Sequence, residues 1–165
     1  MRIVVTAAFI TLLLIVQQST AQGPSAPDLT KALYVSAANV SAAVAATVAK
    51  QGTAANGSTR VMQLAPYTVN IEHRIAVPQA AAVHDKEAEL FYILDGSATL
   101  VTGGKLVDPT RNGDNVNGKS IEGGTSQALA KGDYVIVPQG VPHWFATVQG
   151  SITQISLHLP MPASK

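Results

Sequence analysis

Hydrophobic and polar positions fall into three textures along the chain. Residues 3–16 are apolar except for Thr6 and Thr11; Arg2 precedes them and the small residues Ser19-Thr20-Ala21 follow. A positive start, an apolar run too short to span a bilayer comfortably and a small-residue site predict an export signal over residues 1–21, cleaved after Ala21. Residues 22–27 are Gly/Pro/Ser-rich and read as a leader. Asp28-Leu29-Thr30 offers a helix cap. Residues 32–50 are rich in Ala, with Leu33, Val40, Val44 and Val48 at roughly helical spacing, which predicts one or two short helices. Residues 51–59 read as a polar linker, closing a leader and helical segment over 22–59.

From Arg60 the texture becomes short β-like runs at 61–64, 67–76, 88–94, 98–102, 134–137, 144–148 and 151–159. Most are bounded by Gly, Pro, Asn or Asp, and Pro66, Pro78 and Pro138 stand at their edges, where a missing N–H is tolerated. Many short strands with turn signals between them predict a sandwich or barrel. Residues 103–124 carry Gly103-Gly104, Asn112-Gly113, Asn117-Gly118 and Gly123-Gly124. This stretch is expected to be a long loop or excursion between two barrel strands, unable to pack a core.

Composition narrows the function classes. The chain has 165 residues, enough for one domain with a sizeable core and not for two. With 47% hydrophobic residues it is not a disordered chain. Charged residues make up 13%, the formal net charge is +1 and no Lys/Arg cluster appears, so a nucleic-acid partner is not expected. No membrane partner is expected after signal cleavage. Cysteine is absent, which excludes zinc-finger and thiol-redox classes and leaves His and carboxylate as metal ligands.

Two motifs carry chemistry. Gly132 to His143 fits G-x5-P-x-G-x2-H at every fixed position. Gly132-Asp133 turns the chain into the strand 134–137, Pro138 and Gly140 make a tight turn, and Pro142 stiffens the approach, so His143 emerges at a defined point near a barrel mouth. The other motif is His84-x4-Glu89-x6-Gly96. Period-2 alternation puts Glu89, Phe91 and Ile93 on one strand face and Leu90, Tyr92 and Leu94 on the other. A carboxylate opening an apolar strand is costly if buried alone, so Glu89 should have partners.

Together these motifs resemble those of the cupin superfamily, G-x5-H-x-H-x3-4-E-x6-G and G-x5-P-x-G-x2-H-x3-N. His84 stands at the family's second histidine, Ala82 at its first, His143 at its third, and Thr147 at the asparagine. The resemblance implies an all-β fold: a double-stranded β-helix (jelly-roll) barrel over 60–160 with a short N-terminal helical segment. It also implies a homodimer and a divalent metal, Fe, Mn, Ni or Zn, held by His84, Glu89 and His143. His73 and His158 are the candidate catalytic acid/base groups beside it. If Leu157 and Leu159 pack outward, His158 points into the barrel. Glu72 and Glu87 read as surface charges, and Tyr67, Tyr92, Phe91, Trp144 and Phe145 as core or dimer packing. Two functions fit: an exported (periplasmic or secreted) metal-dependent dioxygenase, isomerase or lyase acting on a small oxygen-rich substrate, or a non-catalytic binder of a small molecule or metal. A metal-free storage role is the third and weakest fit.

Overall fold

The computed structural model describes residues 30–161, so the expected export signal and residues 22–29 of the leader lie outside the described residues. The one helix among those residues, α1 (Ala37–Gln51), starts at Ser36. The Ser36 backbone is extended and its Oγ accepts the Asn39 N–H at 3.1 Å, satisfying an otherwise orphaned amide. The helix ends at Gly52, whose φ of 59° suits glycine. No helix among the described residues is long and apolar enough to cross a membrane.

Everything after α1 is antiparallel strand: β1 (Asn56–Leu64), β2 (Tyr67–Ile75), β3 (Ala81–His84), β4 (Glu87–Thr102), β5 (Lys105–Val107), β6 (Thr110–Asn112), β7 (Asn115–Gly118), β8 (Ser120–Glu122), β9 (Thr125–Ala130), β10 (Tyr134–Val137) and β11 (His143–Pro160). The main sheet runs β1-β2-β11-β3-β7-β6, with β4 on β11 and both β9 and β10 on β4; β5 and β8 form a separate ribbon. This is a jelly-roll barrel. α1 rests on β1 and β2. Gly57 permits the approach, because a Cβ there would lie 3.0 Å from Gln51 Cβ.

The backbone of the barrel is the β4–β11 pair. The sequence suggests two runs in each; the structure joins each pair of runs into one long strand, bent where the register slips between Val148 and Ile152. Gly96 sits opposite that slip with φ 83°, and a Cβ there would stand 2.0 Å from the Ser151 carbonyl oxygen. The Gly closing the first motif therefore lets a continuous strand turn a barrel corner. Alternation along β4 holds as expected: Glu89, Phe91 and Ile93 are buried, and Leu90, Tyr92 and Leu94 are less so. Phe91, Ile93, Leu100, Phe145 and Ile152 form the centre of the main core, with Phe91 and Phe145 edge to face at 5.5 Å.

Three expectations need correction. Residues 103–124 are not a plain loop. They form four short strands, and Ile121 and Leu106 pack with Ala81, Val101 and Trp144 in a second apolar cluster. The glycines there mark tight turns: Gly113-Asp114 links β6 to β7 in a two-residue turn, with φ 60° at Gly113. The expected linker 51–59 contains the end of α1 and the start of β1. β3 and β9 have no counterpart among the expected runs, because each is held by pairing with β7, β11 or β4 rather than by its own pattern.

Phe91→Ala should cost about 3–5 kcal/mol through the cavity left in the core. Lys131→Ala, at an exposed ion pair with Asp95, should stay within about 0.5 kcal/mol of the parent. Urea midpoints at constant m-value measure both, and equal midpoints for the two variants would contradict this core.

Candidate metal centre

Three side chains from two separated motifs meet at one end of the barrel. His84 closes β3, Glu89 lies near the start of β4, and His143 opens β11. Backbone pairing joins the motifs: the Gly140 N–H donates to the His84 carbonyl at 2.9 Å, so the Pro138–Gly140 turn is fastened to the first motif's histidine. Ala82 pairs with His143 across the β3–β11 contact. Each turn residue thus sets where an imidazole emerges.

His84 Nε2 lies 3.2 Å and His143 Nε2 3.3 Å from the same oxygen, Glu89 Oε2. The candidate ligand atoms of all three residues lie within 4.8 Å of one another. Ligand atoms about 2.1 Å from a common ion, at roughly 90–110° to each other, stand about 3.0–3.4 Å apart. The two His–Glu separations match that spacing, and the donor set is one a divalent ion takes. The His84 ring is oriented from behind by its Nδ1–H, which donates to Asn115 Oδ1 at 2.7 Å and leaves Nε2 facing the cluster. The other Glu89 oxygen, Oε1, accepts from Ser156 Oγ at 2.6 Å and lies 3.4 Å from His158 Nε2.

The electrostatics follow from that packing. Glu89 is 4% exposed. Burial alone would push its carboxyl up, but hydrogen bonds from His143, His84 and Ser156, with the charge on His143, hold it well below the usual carboxylate range. The hydrogen bond to Glu89 raises His84 to about 8, against the opposing effect of burial, with help from Asn115 and from the charges on Glu89 and Glu87. Without a metal the carboxylate thus holds a proton on His84 near neutral pH.

A cavity of about 300 Å³ opens over the cluster. His158 lines it, on a strand position directly across from Glu89. Its Nδ1–H donates to Glu87 Oε2 at 2.8 Å. His73 is a correction. Glu72 and Arg74 line the cavity, so alternation along β2 turns His73 to the opposite face, where its Nδ1 lies 2.8 Å from Thr153 Oγ1 and burial lowers its pKa. It is not brought to the cluster.

Glu72 and Glu87 are also corrections, since neither is a free surface charge. Glu72 is 7% exposed and takes Arg74 Nη2 at 2.8 Å and Gln154 Nε2 at 3.2 Å, while Glu87 is half-buried against His158. Trp144 belongs to the cavity wall as well as to the packing, its indole N–H donating to the Gln79 carbonyl at 2.9 Å. Asn115, Ser156, Arg74 and Gln79 were not found from sequence.

A family model described as Cupin matches residues 79–157, which include both motifs. No curated protein matches the chain. Among solved structures, the chain is similar to TT1209 from Thermus thermophilus (16% identity, TM-score 0.49, 68% of this chain and 90% of that one). It is also similar to the EutQ protein of Clostridium difficile (13% identity, TM-score 0.43, 64% of this chain and 68% of that one). A third similar structure is Fe(II) HppE (17% identity, TM-score 0.48, 64% of this chain and 51% of that one). With the two motifs joined on one jelly-roll barrel and the family model spanning them both, residues 79–157 are a cupin domain.

Proposed function

We propose that this cupin binds one divalent metal through His84, Glu89 and His143 and acts on a small oxygen-rich molecule as a metal-dependent oxygenase, isomerase or lyase. The observation that carries this reading is the convergence of three ligand atoms within 4.8 Å beneath a cavity, with the carboxylate buried among its partners. Two imidazoles and one carboxylate suit Fe, Mn, Ni or Zn, and three protein ligands leave coordination positions open to a substrate oxygen. Ala82 supports that openness, since it lines the cavity where the family motif has a further histidine and adds no donor. We also propose that the chain is exported and processed after Ala21.

When bound, the metal supplies Lewis-acid polarisation of a coordinated oxygen or a site for dioxygen. The chain's residues do the rest. Asn115 fixes the His84 ring, and Ser156 holds Glu89 through its second oxygen. Trp144 and Phe145 wall the cavity with apolar surface that limits water. His158 faces the same space, with Glu87 on Nδ1 and Glu89 Oε1 near Nε2, and can hold a proton at either ring nitrogen for a bound substrate.

Purified without added metal, the parent protein should carry near-stoichiometric divalent metal by elemental analysis, and the His84→Ala/His143→Ala double variant should carry none. Equal metal in the two would remove the ligand assignment. Asn115→Ala should weaken metal affinity by about 10–100-fold while leaving the fold intact. Oxygen uptake and absorbance change across enols, diketones and catechols test turnover, and a loaded protein inert to all of them would favour the binding role.

Metal affinity should also depend on pH in a defined direction. A metal must displace the proton that Glu89 holds on His84, whose pKa is about 8. Affinity should therefore rise about tenfold per pH unit below that value and level off above it. Chelator competition at successive pH values between about 6 and 9 measures this. A profile that stays flat below the His84 pKa would mean that His84 is not a ligand.

A further inference from the structure

Part of the same cavity wall is built around a guanidinium. Arg74 lines the cavity from β2, and its side chain is 14% exposed. Its guanidinium carbon lies 4.4 Å from the centroid of the Phe145 ring, which supports one face. Nη2 donates to Glu72 Oε2 at 2.8 Å, and Nη1 to Gln79 Oε1 at 3.3 Å. Both acceptors are themselves held. Glu72 takes Gln154 Nε2, and the Gln79 amide nitrogen donates to the carbonyls of Ala55, Ile75 and Val77, which forces its Oε1 toward Arg74. Nε is buried with no hydrogen-bond partner.

A guanidinium carries five N–H donors in one plane, and a planar carboxylate matches two of them at once. Here the two bonds to Glu72 and Gln79 leave one N–H on each Nη for a ligand, while Nε is buried. Fixing the group by stacking and by two anchored acceptors lowers the ordering cost of using those donors on a ligand.

Charge points the same way. The charged side chains lining the cavity are Glu72, Arg74 and Glu89, beside the three histidines. Glu72 offsets Arg74, and Glu89 offsets half the charge of a divalent ion, so the loaded cavity carries about one net positive charge. A cavity of about 300 Å³ is at the small end of ligand sites.

We infer that the ligand of this cavity is a small organic monoanion, its carboxylate on Arg74 and a second oxygen donor at the metal cluster. This rests on the metal reading of His84, Glu89 and His143, and the experiment keeps the two separable. Protein reconstituted with Co(II) is titrated with pyruvate, acetoacetate and laevulinate, whose ketone oxygens stand progressively farther from the carboxylate, and with the methyl ester of each. The cobalt visible spectrum reports the cluster and elemental analysis reports cobalt content.

At least one acid should bind about 10–100-fold more tightly than its ester. Arg74→Gln should erase that difference while cobalt content and the spectrum without ligand stay those of the parent. Arg74→Lys, which keeps the charge but not the planar fork, should fall between them and serves if the Gln variant does not fold. Acids and esters binding alike, no acid binding, or an unchanged acid preference in Arg74→Gln would overturn the inference. Loss of cobalt from the parent protein would instead strike at the metal reading, and calorimetric titration of the acids against parent and Arg74→Gln would then decide the anion site by itself.

Discussion

A carboxylate buried inside an apolar barrel is the constraint around which this molecule is organised. Removing Glu89 from water costs several kcal/mol unless its oxygens are met by donors. They are met from three directions: Ser156 on β11, His84 on β3, and His143 at the other end of β11. No one of these donors is near Glu89 in sequence except His84. The partners are available because β4 and β11 run antiparallel and, past the register slip, align His158 opposite Glu89. A one-residue slip would turn the carboxylate to the other face of the strand and leave the histidines without it.

That register is protected at several points. Gly96 allows the bend in β4 against the slip in β11, where a side chain would strike the Ser151 carbonyl. The Gly140 amide ties the second motif's turn to the backbone of His84. The main core, with Phe91 and Phe145 at its centre, lies directly beyond the cluster; the ring of His143 stands 6.1 Å from that of Phe91. The site is thus an end wall of the core, and the packing that stabilises the barrel also holds these side chains still. Such support suits a site that needs fixed geometry more than adaptable loops.

The cavity has two unlike sides. One is the His/Glu cluster, whose protons a cation can replace; the other is a guanidinium held by Glu72, Gln79 and the Phe145 ring. Trp144 spans toward the second side through its bond to the Gln79 backbone. Polar side chains make up most of the lining, with Trp144, Phe145 and three alanines between them, and the anchored members of the two groups set the orientation of a small ligand more than they add bulk affinity.

Local information in the chain determined much of this. The resemblance of the two motifs to those of the cupin superfamily pointed to His84, Glu89 and His143; alternation assigned the buried face of β4, and His158 was expected inward if Leu157 and Leu159 packed outward, the last two readings resting on a strand's own two-residue period. Asn115, Ser156 and the Arg74–Gln79–Glu72 group, together with the exclusion of His73, were decided by tertiary structure alone. Each depends on which residue of a distant strand lies opposite, and one position of register changes the answer. The segment 103–124 belongs with them: its glycines read as loop composition, yet they make the turns that let four short strands pair and bury Ile121. A side chain's periodicity is written along its own strand, whereas its partner is chosen by hydrogen bonds between strands that the chain brings together only on folding.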